Sequence, residues 1–280
     1  MLKHRIFTAI LGIPLLIALI YVGSLPLFLA VSLLFFLGMR EFINIAEKAG
    51  YPPLKVSMYV GGFLLILDAY LFSGLFATFA FFVAFMLLVI ELILSNKINL
   101  AIIAVSFFGV IYLSLLKYIL LLRDFHDGFI LILMVFVLTW AVDTGAYFSG
   151  RLFGNKKLAP SISPNKTWAG AIGGTLVTML MAAALYFTIA PDGIFVGGVI
   201  GAIILGFLIA ISGQFGDLLA SLLKRSANVK DSGNLLPGHG GVLDRFDSIL
   251  LTAPVAVYFL LNTAFVWRET CICWRVLGIF

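Results

Sequence analysis

Seven charged side chains and four glycines are crowded into the segment Ser221 to Asp247, SLLKRSANVKDSGNLLPGHGGVLDRFD. Lys224, Arg225, Lys230 and Arg245 stand beside Asp231, Asp244 and Asp247, with Gly233, Gly238, Gly240 and Gly241 among them. Carboxylates gathered this closely repel one another unless a cation sits between them, and hard oxygen donors select Mg²⁺ over softer metals. The lysines and arginines supply the complementary charge for phosphates that such a metal would bridge. Glycines let backbone amides approach a ligand closely. Asp244 and Asp247 are three apart at the mouth of the last apolar stretch, so their carboxylates share a helical face. His239, inside PGHGG, is placed to contact a phosphate or act as a base.

Two further polar groupings lie in otherwise apolar surroundings, where polar side chains are costly and therefore informative. Gln214, Asp217, Ser221 and Lys224 follow at intervals of three, four and three, a polar stripe that must face protein or water. Thr139, Asp143 and Tyr147 are spaced by four and fall on one helical face. Such stripes either glue helices together or line a site. Between them runs GRLFGNKKLAPSISPNKTWAG, in which Lys156, Lys157, Ser161, Ser163, Asn165, Lys166 and Thr167 combine ammonium and hydroxyl donors suited to anionic oxygens. Asp68 and Glu91 each stand alone near a helix end and read as structural or interfacial.

The elements that must position these groups are membrane helices. Of the 280 residues 62% are hydrophobic and only 11% charged, where a soluble domain carries about a quarter charged residues. Mean hydropathy is +1.16. Apolar runs of bilayer-crossing length recur throughout, leaving no room for a separate soluble domain. Nine candidate spans result, at 6–22, 25–39, 56–72, 74–94, 99–122, 128–148, 170–189, 194–223 and 248–267. The fold class expected is an all-α polytopic transmembrane bundle. Residues 1–125 form an N-terminal group with a scaffold or dimerisation role, 126–268 a catalytic region, and 269–280 a tail with no assigned role. Lys3 and Arg5 before the run 6–22 look like a signal peptide, but no small-residue cleavage site follows, so this is read as a retained first span.

Basic residues give the orientation. With the N-terminus cytoplasmic, 14 Lys and Arg fall inside and Arg123, Arg268 and Arg275 outside, with Lys117 within a span. This also accounts for the net charge of +5 without invoking nucleic acid. Arg40 to Lys48 mixes charge with Phe42, Ile43 and Ile45, which fits either an interfacial helix or a frayed helix end. Cys271 and Cys273 are too close for a disulfide framework and not spaced as metal ligands.

The segment 221–247 resembles the signature of the phosphatidate cytidylyltransferases, also called CDP-diacylglycerol synthases: Ser, two residues, Lys-Arg, four residues, Lys-Asp, then Pro-x-His-Gly-Gly, a hydrophobe, x, Asp-Arg, a hydrophobe and Asp. Ser221, Lys224, Arg225, Lys230, Asp231, Pro237, His239, Gly240, Gly241, Val242, Asp244, Arg245, Phe246 and Asp247 fill every fixed position. The resemblance extends through Trp140, Asp143, Tyr147, Ser163 to Thr167 and Phe215-Gly216-Asp217. It departs at Ala169, where many relatives carry glutamate. It implies the reaction of CTP with phosphatidate to give CDP-diacylglycerol and pyrophosphate, dependent on Mg²⁺ and admitting a second cation, at the cytoplasmic face of the inner membrane.

Carried onto this chain, the resemblance implies metal binding by Asp217, Asp244 and Asp247, with Asp143 in support. Lys224, Asp231 and Asp244 are the catalytic group, with Asp231 either a further ligand or the orienter of Lys224. Ser163, Asn165, Lys166, Ser221, Arg225, Lys230, His239, Gly240, Gly241 and Arg245 would bind substrate. Expected partners are CTP, phosphatidate and membrane lipids, with a homodimer allowed and no nucleic acid. Two other classes fit parts of the pattern. A secondary transporter would also carry intramembrane acids, though at the midplane of two related halves. A lipid kinase would use similar loop chemistry but release a nucleoside diphosphate.

Overall fold

The structure is a computed structural model that describes residues 2–95, 99–189, 195, 197–233 and 240–263. The chain is an all-α polytopic membrane protein. Among the described residues each of the nine apolar runs is represented by helix: α1 (Leu2–Val22), α2 (Ser24–Lys48), α3 (Lys55–Phe72), α4 (Ala77–Leu94), α5 with α6 (Leu100–Ser114, Lys117–Arg123), α7 (Gly128–Phe153), α8 (Trp168–Ile189), α9 (Gly198–Ser226) and α10 (Leu243–Thr263). Helix is forced because hydrocarbon offers backbone polar groups no partners except each other. Among the described residues seven of these runs, α2 to α9 with α5 and α6 taken together, are long and apolar enough to cross a membrane. Their outward faces agree: α8 exposes Ile172, Leu176, Leu180 and Phe187, and α4 exposes Phe79, Phe82, Ile90 and Leu94. Apolar exposure on this scale marks a surface that meets lipid rather than water.

Two local features differ from expectation. The segment from Arg40 to Lys48 is neither a separate interfacial helix nor frayed; it completes α2 as one continuous helix. The basic connection after the sixth span holds a small antiparallel hairpin, β1 (Lys157–Ala159) with β2 (Ser163–Thr167), where only a loop was expected. Arg151 belongs to the last turn of α7.

The chain divides into two compact units. The first comprises Met1–Asp124 and Leu222–Phe246. Its core is packed around Phe35, Met39, Phe42, Met58, Ile66, Leu88, Tyr112 and Leu113. Small residues let helices touch: a side chain at Gly61 would collide with Ala84 of α4, and one at Gly62 with Phe35 of α2. Asp68 and Glu91 serve helix ends, as expected of isolated acids. Glu91 accepts the Ser57 amide at 2.6 Å in the first turn of α3, and Asp68 accepts the Phe76 amide at 3.0 Å ahead of α4. Arg123 donates to the Ile20 carbonyl at the end of α1 at 3.2 Å.

The second unit comprises Phe125–Ser221 and Asp247–Phe280, of which nothing is described beyond residue 263. Helices α7 and α8 pack through glycine: a side chain at Gly145 would meet Val177 and Gly174, and one at Gly174 would meet the Val142 carbonyl. Helices α9 and α10 do the same at Gly213, opposite Ser248 and Thr252, and at Gly216, where a side chain would stand 2.5 Å from the Asp247 carbonyl oxygen. Buried Thr139 of α7 and Thr252 of α10 lie 3.2 Å apart, hydroxyl to hydroxyl.

Candidate active site

In the second unit the charged groups come from four elements. Thr167 closes β2 and caps α8 by accepting the Gly170 amide at 3.1 Å, a helix-start device that fixes the residue before it. That residue, Lys166, forms an ion pair with Asp217 of α9 at 2.8 Å, the two side chains being 25% and 35% exposed. Ser221, one turn further along α9, donates to the other Asp217 oxygen at 3.4 Å. Asp143 of α7 is exposed and near enough to Asp217 and Lys166 for both charges to act on it. Asp247 is partly exposed in α10 and accepts the Ser248 amide at 2.7 Å. Gln214 donates to the Ala171 carbonyl and the Thr175 hydroxyl of α8.

The first unit holds a tighter arrangement. Lys224 pairs with Asp244 at 2.6 Å, and these side chains are only 12% and 10% exposed. The other Asp244 oxygen accepts the amides of Ser232 at 2.8 Å and Gly241 at 3.0 Å and lies 3.0 Å from the Ser232 hydroxyl. Asp244 sits in the first turn of α10, ahead of the apolar stretch that begins at Ser248. Burial alone would push its carboxyl up, but the Lys224 ammonium and the two amides more than offset this and hold it below its ordinary range.

Several sequence expectations take definite form here. Lys224 is paired with Asp244, and the Asp231 side chain is exposed. Lys230, Arg225 and Arg245 are also exposed, and Arg225 donates to the Val229 carbonyl at 3.1 Å. The glycines lie close to protein carboxylates: a side chain at Gly240 would press on Asp244, and one at Gly241 on Ser232 and Glu41. Gly240 also has φ +76°, a conformation that favours glycine. Ser163 is partly exposed and Asn165 exposed on β2. The stripe of Thr139, Asp143 and Tyr147 does not share one environment. Thr139 is buried glue, Asp143 joins the charged group, and the Tyr147 hydroxyl accepts from Arg151. His239, Pro237 and Gly238 lie outside the described residues, as does the tail.

Glu41 escaped sequence reading. It is only 6% exposed, and its carboxylate accepts the amides of Val242 and Leu243 and the Ser232 hydroxyl. The signal available was a lone acid inside an apolar stretch, Arg40-Glu41-Phe42, and nothing local tells its partners.

Among the described residues no three His, Cys, Asp or Glu side chains form a ready-made metal cage. Mg²⁺ seldom asks for one, since it commonly takes one or two carboxylates and completes its shell with phosphate oxygens and water. Asp217, about a third exposed with one oxygen held by an ammonium, and exposed Asp143 fit that demand as hard donors open to solvent. Asp244 is the less open of these acids, its side chain only 10% exposed and its oxygens shared among an ammonium, two amides and a hydroxyl.

Paired ammonium and carboxylate groups on membrane helices are an inventory suited to meeting anionic oxygens. Comparison with known proteins makes this specific: the chain belongs to the cytidylyltransferase family, whose model matches residues 3–263. It is 32% identical to the phosphatidate cytidylyltransferase of Bacillus subtilis over 93% of this chain and 97% of that one. It is 37% identical to that of Brucella suis over 92% and 93%. A 46% identical match to the Haemophilus influenzae enzyme of the same name covers 54% of this chain and 51% of that protein.

Proposed function

We propose that this protein is a phosphatidate cytidylyltransferase, converting CTP and phosphatidate to CDP-diacylglycerol and pyrophosphate. The observation that carries the reading is the near full-length likeness to proteins of that name, joined to cations and carboxylates on the segments that bear the signature. In the reaction a phosphate oxygen of phosphatidate attacks the α-phosphorus of CTP, and the bond to the β-phosphate oxygen breaks, releasing pyrophosphate. The second ionisation of a phosphate monoester lies near pH 6, so the nucleophile needs no strong base. Catalysis then rests on bringing two polyanions together and balancing charge on the leaving group.

Lys224, fixed by Asp244, supplies an ammonium of defined position. Lys166, Arg225, Lys230 and Arg245 hold triphosphate or the lipid phosphate, with Ser163, Asn165, Ser221, His239, Gly240 and Gly241 as further substrate contacts. Asp231, exposed beside Lys230, serves the same loop. Asp217 and Asp247, supported by Asp143, are the residues that would hold Mg²⁺, and a second cation belongs to the same proposal; Asp244 anchors Lys224. A bound Mg²⁺ supplies charge neutralisation on phosphate oxygens. Nine crossings with a cytoplasmic N-terminus, a cytoplasmic active site at the inner membrane and a homodimer through the scaffold region 1–125 complete the proposal. The supports are the distribution of Lys and Arg and the helical character of each run.

The test uses protein purified in detergent with phosphatidate and CTP labelled at the α-phosphate, with and without Mg²⁺. Label should enter the lipid only with Mg²⁺, with one pyrophosphate released per lipid formed. Transfer from γ-labelled CTP instead would make the protein a kinase and overturn the reading.

A further inference from the structure

Glu41 is a buried carboxylate to which the reaction above gives no task. It stands on α2, 191 residues before Ser232, yet all three of its hydrogen-bond donors come from the signature segment. One oxygen accepts the Val242 amide at 2.8 Å; the other accepts the Leu243 amide at 2.8 Å and the Ser232 hydroxyl at 2.7 Å. The segment is shaped around it. A side chain at Gly233 would stand 2.6 Å from the first oxygen, and one at Gly241 would collide with the second.

The position of those amides matters. Leu243 opens α10, and the first amides of a helix have no partner within it. An anionic acceptor there satisfies them and complements the positive end of the helix dipole. Glu41 therefore caps, from a distant helix, the helix whose first turn carries Asp244. The Ser232 hydroxyl ties the two carboxylates together, since it lies within hydrogen-bond reach of both and can donate to only one at a time. Asp244 in turn fixes Lys224.

We infer that Glu41 is a positioning residue, acting through Ser232 and the start of α10 to hold the Lys224–Asp244 pair in its working geometry. The inference rests on the cytidylyltransferase reading. Glu41→Gln is the informative variant because it keeps the shape and one acceptor oxygen while turning the other into a donor that faces a donor. Purified and folded, E41Q should show kcat lowered about 100-fold, the scale of a misplacement of roughly an ångström. The thermal midpoint should fall, because a buried donor then faces a donor; assayed well below that midpoint, KM for CTP should stay within about threefold, a split that belongs to a misplaced group rather than to an unfolded fraction. Full kcat in folded E41Q overturns the inference. Should E41Q fail to fold, Ser232→Ala, which removes one donor and leaves the core alone, should still lower kcat several-fold, and an unchanged kcat in S232A overturns it equally. The two readings fail differently: a wild type that makes no CDP-diacylglycerol defeats the reaction, whereas an active wild type with indifferent Glu41 and Ser232 defeats only this inference.

Discussion

The two Lys–Asp pairs are chemically alike and physically different. Lys224–Asp244 is about nine-tenths buried, and its carboxylate is saturated by an ammonium, two amides and a hydroxyl. Lys166–Asp217 is a quarter to a third exposed, and its carboxylate has one ammonium and one long hydroxyl contact. A saturated carboxylate gives up its partners only at high cost, so the first pair holds a charge in place. A partly exposed carboxylate with fewer partners exchanges them more readily, so the second pair can turn its carboxylate to a metal ion. Shared signature spacing thus hides a division between a fixed charge and an available one.

The sharpest way to break that comparison is to remove the acid from each pair. Asp244→Asn leaves Lys224 buried without its counter-ion and should cost about 3–5 kcal/mol of stability as well as turnover, read from thermal unfolding and CDP-diacylglycerol formation. Asp217→Asn should lose at least about 100-fold in kcat, the scale of one removed electrostatic group. Its stability should fall by less than that of D244N, because this pair is more exposed and its carboxylate makes fewer hydrogen bonds. Equal stability losses in the two variants would erase the distinction.

Smaller effects sharpen it. Gly241→Ala forces a methyl against Ser232 and Glu41 and should destabilise by about 1–3 kcal/mol, the range for overpacking, measured against wild type by thermal unfolding. Acid pH adds a signed test. The folded-state carboxyl of Asp244 is depressed, so its contribution to stability is present above the unfolded carboxylate value, near 3.9. It is lost as pH falls through the folded value. Below about pH 4 the wild type should therefore lose stability more steeply than D244N, which has no such contribution to lose. Parallel acid limbs would contradict the anchoring. Thr139→Val, far from either pair in role, should cost only about 0.6 kcal/mol, with kcat unchanged.

The helices were legible because membrane burial writes them as apolar runs, and the signature because its charges cluster within one short segment. What local sequence could not show depended on distance along the chain. Nothing local singles out Glu41 because its donors lie about two hundred residues away, and the charges at Arg40 and Glu41 end the apolar run at residue 39 although α2 continues to Lys48. Gly233 and Gly241 are points of close approach, and the group standing against both is Glu41, which nothing in their local sequence names. The hairpin of β1 and β2 left no trace because Lys-Leu-Ala and Ser-Pro-Asn-Lys-Thr are too short and polar to show a period of two. Asp231 was the nearer acid to Lys224 in sequence, but Asp244, twenty residues on, holds it.

The most direct measurement of the account is pyrophosphate release from CTP in the presence of phosphatidate, followed across a Mg²⁺ titration for wild type and D217N at equal amounts of folded protein. Release by the wild type should rise and saturate with Mg²⁺ while D217N stays near background at every concentration. A D217N titration that overlays the wild type would show that the open pair does not handle the metal and nucleotide.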